Sequence, residues 1–177
     1  VTSGPRCMIG HATWEGRTVE AGDGVFLEVG GCVRRYHAAM MRTAFVGEPP
    51  PAVRAAEELV LEALDAMIAG LRPGITVSNA DKLARDVLDR SPVGGSLVTR
   101  AGYSIGIAFA PSWDEGYIMS LKPGDHRILQ ENMTFHIIPW LFGYEGERVM
   151  GISETVRITA DGAEPLGSLD RRLVVRA

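Results

Sequence analysis

Few residues in this sequence pair a reactive side chain with a setting that would make it reactive. His11, Glu28, His37, Tyr103, His136 and Glu154 are polar groups within or beside otherwise apolar, strand-like stretches. An ionisable group buried without a partner costs several kcal/mol, so a cluster of such groups needs a reason. Glu28 stands out. It follows Val25-Phe26-Leu27, and two-residue alternation turns its side chain to the same face as Phe26. If that face is a core or a cleft wall, the carboxylate is desolvated and available as a base or nucleophile. The plainer reading is a strand-end Glu leaning into solvent, and for any single strand His or Glu scaffold duty is commoner than catalysis. The short signatures of other chemistries are missing: there is no phosphate loop, dinucleotide fingerprint, HExxH or nucleophile elbow.

Positioning such groups takes an ordinary globular core, and the composition allows one. The chain has 177 residues, 46% hydrophobic and 23% charged, which fits one domain able to bury a core and excludes a disordered chain. No run approaches the roughly 20 apolar residues of a membrane span. A net charge of -4 argues against a general nucleic-acid binder. Two cysteines, Cys7 and Cys32, make no disulfide framework, so a cytoplasmic, reduced protein is expected. The opening Val1-Thr-Ser-Gly-Pro5 has no initiator Met, basic region or apolar stretch, and reads as an internal segment of something longer.

Strand-forming residues run from Gly24 to Val46, with Gly30-Gly31 expected as the tight turn between two strands. Pro49-Pro50-Pro51 leads into an amphipathic helix carried by Val53, Ala56, Leu59, Val60, Ala63, Leu64, Met67 and Ile68, with Gly70 as its stop. A second helix is expected to open at Ser78, with Asp81 completing a weak capping box. Tyr103–Phe109, Met133–Leu141 and Val149–Thr159 read as strands, and Asp161-Gly162 as a turn. Strands, two helices, then strands predict an α+β domain.

Several fragments then fall in a familiar order. They are Gly4-Pro5, His11, Gly22-Asp23 before a strand, Glu28-Val-Gly30, Arg42-Thr43 with Gly47, and Arg72-Pro-Gly-Ile-Thr76. Gly102-x-x-Ile-Gly106, Asn132-Met-x-Phe135 with Pro139, and Ser153 to Thr159 before Asp161-Gly162 continue the series. Together they resemble the catalytic half of the pita-bread superfamily of creatinase, aminopeptidase P and prolidase. The resemblance implies a single catalytic-domain fragment over residues 1–177, without the fold's first elements or an N-terminal domain, and a homodimer.

The metallopeptidases of that superfamily hold two metal ions with two Asp, one His and two Glu. The resemblance places those five positions on Glu28, Ala39, Tyr103, Ile138 and either Ser153 or Glu154. Ala, Ile and a neutral Tyr cannot replace carboxylates and imidazole around a dinuclear cation, which implies that no metal and no other cofactor is used. The run Gly31-Cys-Val-Arg-Arg-Tyr-His37, with Pro111-x-Trp113 and Met133-Thr-Phe-His136, is closest to the ectoine hydrolase branch, whose substrate is a small cyclic amidine carrying a carboxylate. By that likeness Glu28 is the catalytic carboxylate and His11 a proton shuttle. Arg35, His37, Tyr103, Trp113, His136 and Glu154 are candidates for holding substrate, with Arg42 a second choice for its carboxylate. The competing readings are a metal-dependent Xaa-Pro dipeptidase and an inactive fragment that only associates.

Overall fold

In the computed structural model, which describes residues 1–177, the stretch from Gly24 to Val46 forms one long hairpin, β2 (Gly24–Val33) and β3 (Tyr36–Val46). The short β1 (Thr2–Ser3) flanks β2, and β11 (Val174–Arg176) runs parallel to β3 on the far side. The turn does not lie at Gly30-Gly31. Those glycines sit inside β2, opposite Ala39 and Ala38, and the chain reverses at Arg34-Arg35 with φ of 49° and 71°. A two-residue hairpin needs positive φ at both turn residues, and here two arginines accept it. Gly30 is needed for a different reason: a Cβ there would come within 3.0 Å of the Trp113 ring. Glu28 is therefore a mid-strand residue, paired with Met41.

Helices α1 (Pro51–Gly70) and α2 (Val77–Leu88) form where the apolar spacing predicts them. The cap of α2 is Thr76 rather than Ser78, its Oγ1 accepting the Asn79 N–H at 3.1 Å. Asp81 makes no capping box. It is buried, paired with Arg85, and accepts the Ala101 N–H at 3.1 Å, which fixes the entry to the next strand.

That strand, β4 (Gly102–Ser104), belongs to a second sheet with β5 (Ser120–Leu121), β6 (Thr134–Ile137), β9 (Glu154–Ile158) and β10 (Ala163–Pro165), ordered β10-β9-β6-β4-β5. β7 (Trp140–Tyr144) and β8 (Arg148–Gly151) make a separate hairpin. The sequence suggested two long strands here. Each breaks: Pro139 has no N–H to continue the first, and the second changes partner from β7 to β6 around Ile152-Ser153. Residues beyond Ser104 are mostly loop, tied by single bridges at Ile105 and Ile107. The helices share one core with the second sheet, in which Leu64, Met67 and Leu88 join Phe135, Ile137, Val156 and Ile158. No helix is long and apolar enough to cross a membrane.

The two sheets meet along β3 and the start of β9 through hydroxyls. Ser153 Oγ accepts the Met41 N–H at 2.6 Å, and the Ser153 N–H donates to the Met41 carbonyl at 3.1 Å. Thr155 Oγ1 accepts from Ala39 N–H at 2.9 Å and donates to the Ala39 carbonyl at 2.8 Å. Backbone groups without strand partners are satisfied in this way, as buried polar groups require. The seam fixes the spacing of β2–β3 against β4 and β6. A cavity opens beside it.

Candidate active site

Phe26 and Glu28 share one face of β2, as their alternation predicts, and that face lines a cavity of about 1000 Å³. Met41 and Ile138 form part of its apolar floor, Tyr103 stands up from β4, and Trp113 and Trp140 supply aromatic wall. Apolar walls with a few convergent polar groups are the usual form of a small-molecule site.

The Glu28 side chain is 19% exposed, and burial pushes its carboxyl above the usual carboxylate range, opposed by the nearby His11. His11 Nε2 lies 3.7 Å from Glu28 Oε2. The His11 side chain is 92% exposed and its backbone is left-handed, φ 59°, at the rim of the cavity. On the other side Glu28 Oε1 is 4.0 Å from His136 Nδ1.

His136 is fully buried in β6, and burial together with the charge of Arg100 lowers its pKa to about 3. It is a neutral imidazole at any ordinary pH. Its Nδ1 meets Tyr103 Oη at 2.7 Å and its Nε2 meets Ser153 Oγ at 2.6 Å. Trp113 Nε1 donates to the same Tyr103 oxygen at 3.1 Å. Burial raises the Tyr103 phenol, so it stays protonated.

His11, Glu28, Tyr103, Trp113 and His136 are thus brought together. Three other candidates are not. Arg35 sits at the hairpin tip with its guanidinium 4.8 Å from the centre of the Phe109 ring. His37, opposite Cys32 near the same tip, has Nδ1 3.4 Å from the Gly106 carbonyl. Glu154 turns away from the cavity and is paired with Arg42 at 2.7 Å and Arg171 at 3.2 Å. Arg42 is thereby occupied as well, also donating to the Ser153 and Asp170 carbonyls. None of these four lines the cavity. Strand alternation explains Glu154: one residue after inward-facing Ser153, it must face out.

Sequence reasoning missed Arg100, Asp114 and Lys122, which all line the cavity. Arg100 pairs with Asp114, donates to Ser120 Oγ at 2.9 Å, and lies 4.5 Å from the centre of the Tyr103 ring. They sit in loops or at a short strand's end, where no periodicity marks a facing side. The adjacency of Asp114 to Trp113, and of Arg100 to the Gly102-x-x-Ile-Gly106 run, was the available signal.

Residues 1–160 match the model of metallopeptidase family M24, and the chain belongs to that family. It is 35% identical over 168 residues to the ectoine hydrolase of Halomonas elongata, covering 94% of this chain and 41% of that protein. Its fold superposes on the X-Pro aminopeptidase of Thermotoga maritima with a TM-score of 0.87 at 27% identity, over 98% of this chain and 47% of the other. The prolidase of Thermococcus sibiricus gives the same TM-score at 26% identity, over 98% and 46%. The fold is the pita-bread α+β fold, and the chain spans less than half the length of these relatives.

The family's two metal ions need a donor set that these residues do not form. Of the residues that the resemblance sets at the ligand positions, Glu28, Ala39, Tyr103, Ile138 and Ser153 or Glu154, the one carboxylate that lines the cavity is Glu28. The Ser153 hydroxyl is spent on His136 and the Met41 N–H, and the Glu154 carboxylate on Arg42 and Arg171. Both nitrogens of His136 are likewise engaged. No three His, Cys, Asp or Glu side chains gather into a group that could hold a cation.

Proposed function

We propose that the full-length protein is a metal-independent hydrolase that opens a C–N bond in a small cyclic amidine such as ectoine, with Glu28 as the carboxylate that drives the reaction. One observation carries this reading: the Glu28 carboxylate is largely buried, raised in pKa, and faces an aromatic-walled cavity in which no group of His, Cys, Asp and Glu forms a cation site. The 35% identity to an ectoine hydrolase supports the choice of substrate class.

An amidinium carbon is already electrophilic, so it needs less Lewis-acid activation than a peptide carbonyl. Glu28 either attacks that carbon or takes a proton from a water that does. The tetrahedral carbon then expels one ring nitrogen, which receives a proton, and one water in total is consumed to leave an amide and an amine. In this reading His11 carries that proton, supported by its distance of 3.7 Å from Glu28 and its openness to solvent. Trp113 offers its ring face to the cationic substrate, an interaction of about 0.5–2 kcal/mol. Arg100 and Lys122 stand where a substrate carboxylate could be met, a task the sequence suggested for Arg35 or Arg42.

Replacing Glu28 by Gln keeps size and removes charge. The variant is expected to lose about 10²–10⁴-fold in kcat. Because burial raises the Glu28 pKa, its ionised form at neutral pH destabilises the fold, so Glu28→Gln should also melt at a higher temperature. Assay of ring opening by NMR, beside a thermal melt, checks both. An active Glu28→Gln enzyme would remove Glu28 from the mechanism.

A further inference from the structure

The buried chain Ser153–His136–Tyr103 has a direction, and its ends set that direction. At one end, Ser153 Oγ accepts the Met41 N–H at 2.6 Å, and the serine is completely buried. Its own proton has one acceptor within reach, His136 Nε2, at 2.6 Å. If Nε2 carried the ring proton instead, the serine proton would be left without an acceptor in a dry site, which is costlier than any arrangement that satisfies it. Ser153 therefore donates to Nε2. A neutral imidazole has one N–H, so it sits on Nδ1 and donates to Tyr103 Oη at 2.7 Å. Trp113 Nε1–H donates to the same oxygen at 3.1 Å. Both lone pairs of the phenol are then used, and its O–H is the group left to face the cavity that Tyr103 lines.

From this geometry we infer that Ser153 and His136 are positioning residues that lock Tyr103 as an obligate hydrogen-bond donor to an oxygen in the cavity. The inference rests on the hydrolase reading for its chemical meaning. An amidinium offers N–H donors, which an obligate donor cannot meet, so the substrate nitrogens turn toward Glu28. Tyr103 meets the oxygen that becomes bonded to the attacked carbon. The residue thus selects the face of attack and steadies charge on that oxygen, while being unable to act as a base.

The test is the His136 tautomer in the full-length protein, labelled with 15N-histidine and read by NMR. The signal is assigned by its loss in His136→Gln and, should that variant fail to fold, by its constancy between pH 5 and 8. A proton on Nδ1 is expected in the wild type and in Ser153→Thr. A proton on Nε2 in the wild type overturns the inference and leaves the role of Glu28 untouched. Turnover of ectoine supplies a second arm. Ser153→Ala should lower kcat at least about tenfold with KM within about twofold, and Ser153→Thr should restore it; Tyr103→Phe should lose about 10²–10³-fold. Equal kcat in the Ala and Thr variants would also overturn the proposal, whereas a wild-type protein that has the Nδ1 tautomer but does not open ectoine would overturn only the hydrolase reading.

Discussion

On the cavity side of the β3–β9 seam, Ser153 and His136 form a neutral chain of hydrogen bonds that ends at Tyr103. One residue further along, Glu154 faces the opposite way into an ionic cluster with Arg42 and Arg171. Ser153, His136 and Glu154 are all buried, whereas the two arginines of the outer cluster reach toward the surface. The difference between them is charge. A buried ion pair holds elements together but commits its groups, and Arg42 is spent on Glu154 and three backbone carbonyls on the β9 and 169–170 side, besides the carbonyl of Met41. A neutral chain leaves one proton free at its end. The outer face can then act as scaffold while the inner face is kept available for chemistry.

Breaking the outer cluster should give the largest stability effect. Glu154→Gln removes the charge that two arginines share, leaves Arg42 with backbone carbonyls alone, and should lower stability by about 1–3 kcal/mol in a denaturant titration. Residual kcat per folded molecule should fall little, because Glu154 does not line the cavity. A variant of wild-type stability with lost turnover would reverse the assignment of the two faces.

Acid should attack the inner face instead. The pKa of His136 is lowered to about 3 in the folded state, against 6.5 for a free imidazole. A depressed pKa means that the unfolded chain binds protons more readily. The stability His136 contributes is whole above pH 6.5 and drains away as pH falls toward 3, at up to about 1.4 kcal/mol per pH unit. Melts at stepped pH should show this component in the wild type and lose it in His136→Gln. A slope unchanged in that variant would mean that His136 is not held neutral.

How much of this could be read without the structure varied with the kind of signal. The helix over Pro51–Gly70 was plain, because its apolar spacing recurs over five turns and nothing competes with it. Glu28 and Phe26 share the cavity face because alternation within one strand needs no knowledge of partners. The hairpin turn was misplaced because Gly30-Gly31 looks like turn chemistry, whereas Gly30 is small to admit Trp113. The sequence alone does not choose between Ser153 and Glu154, because a one-residue slip flips a strand's faces and only pairing with β6 and the bond to Met41 fix the register. His37 is a polar group in a strand and Arg35 a candidate only through the family likeness, and the hairpin carries both beyond the cavity. Arg100 and Lys122 come from segments where no pattern marks facing.

Hydrolysis without a bound cation is the property to measure. Full-length protein would be stripped with chelator, checked for residual transition metals, and incubated with ectoine while ring opening is followed by NMR. Turnover equal to that of untreated protein is the predicted result. Activity that vanishes on stripping and returns with added manganese, cobalt or zinc would contradict it.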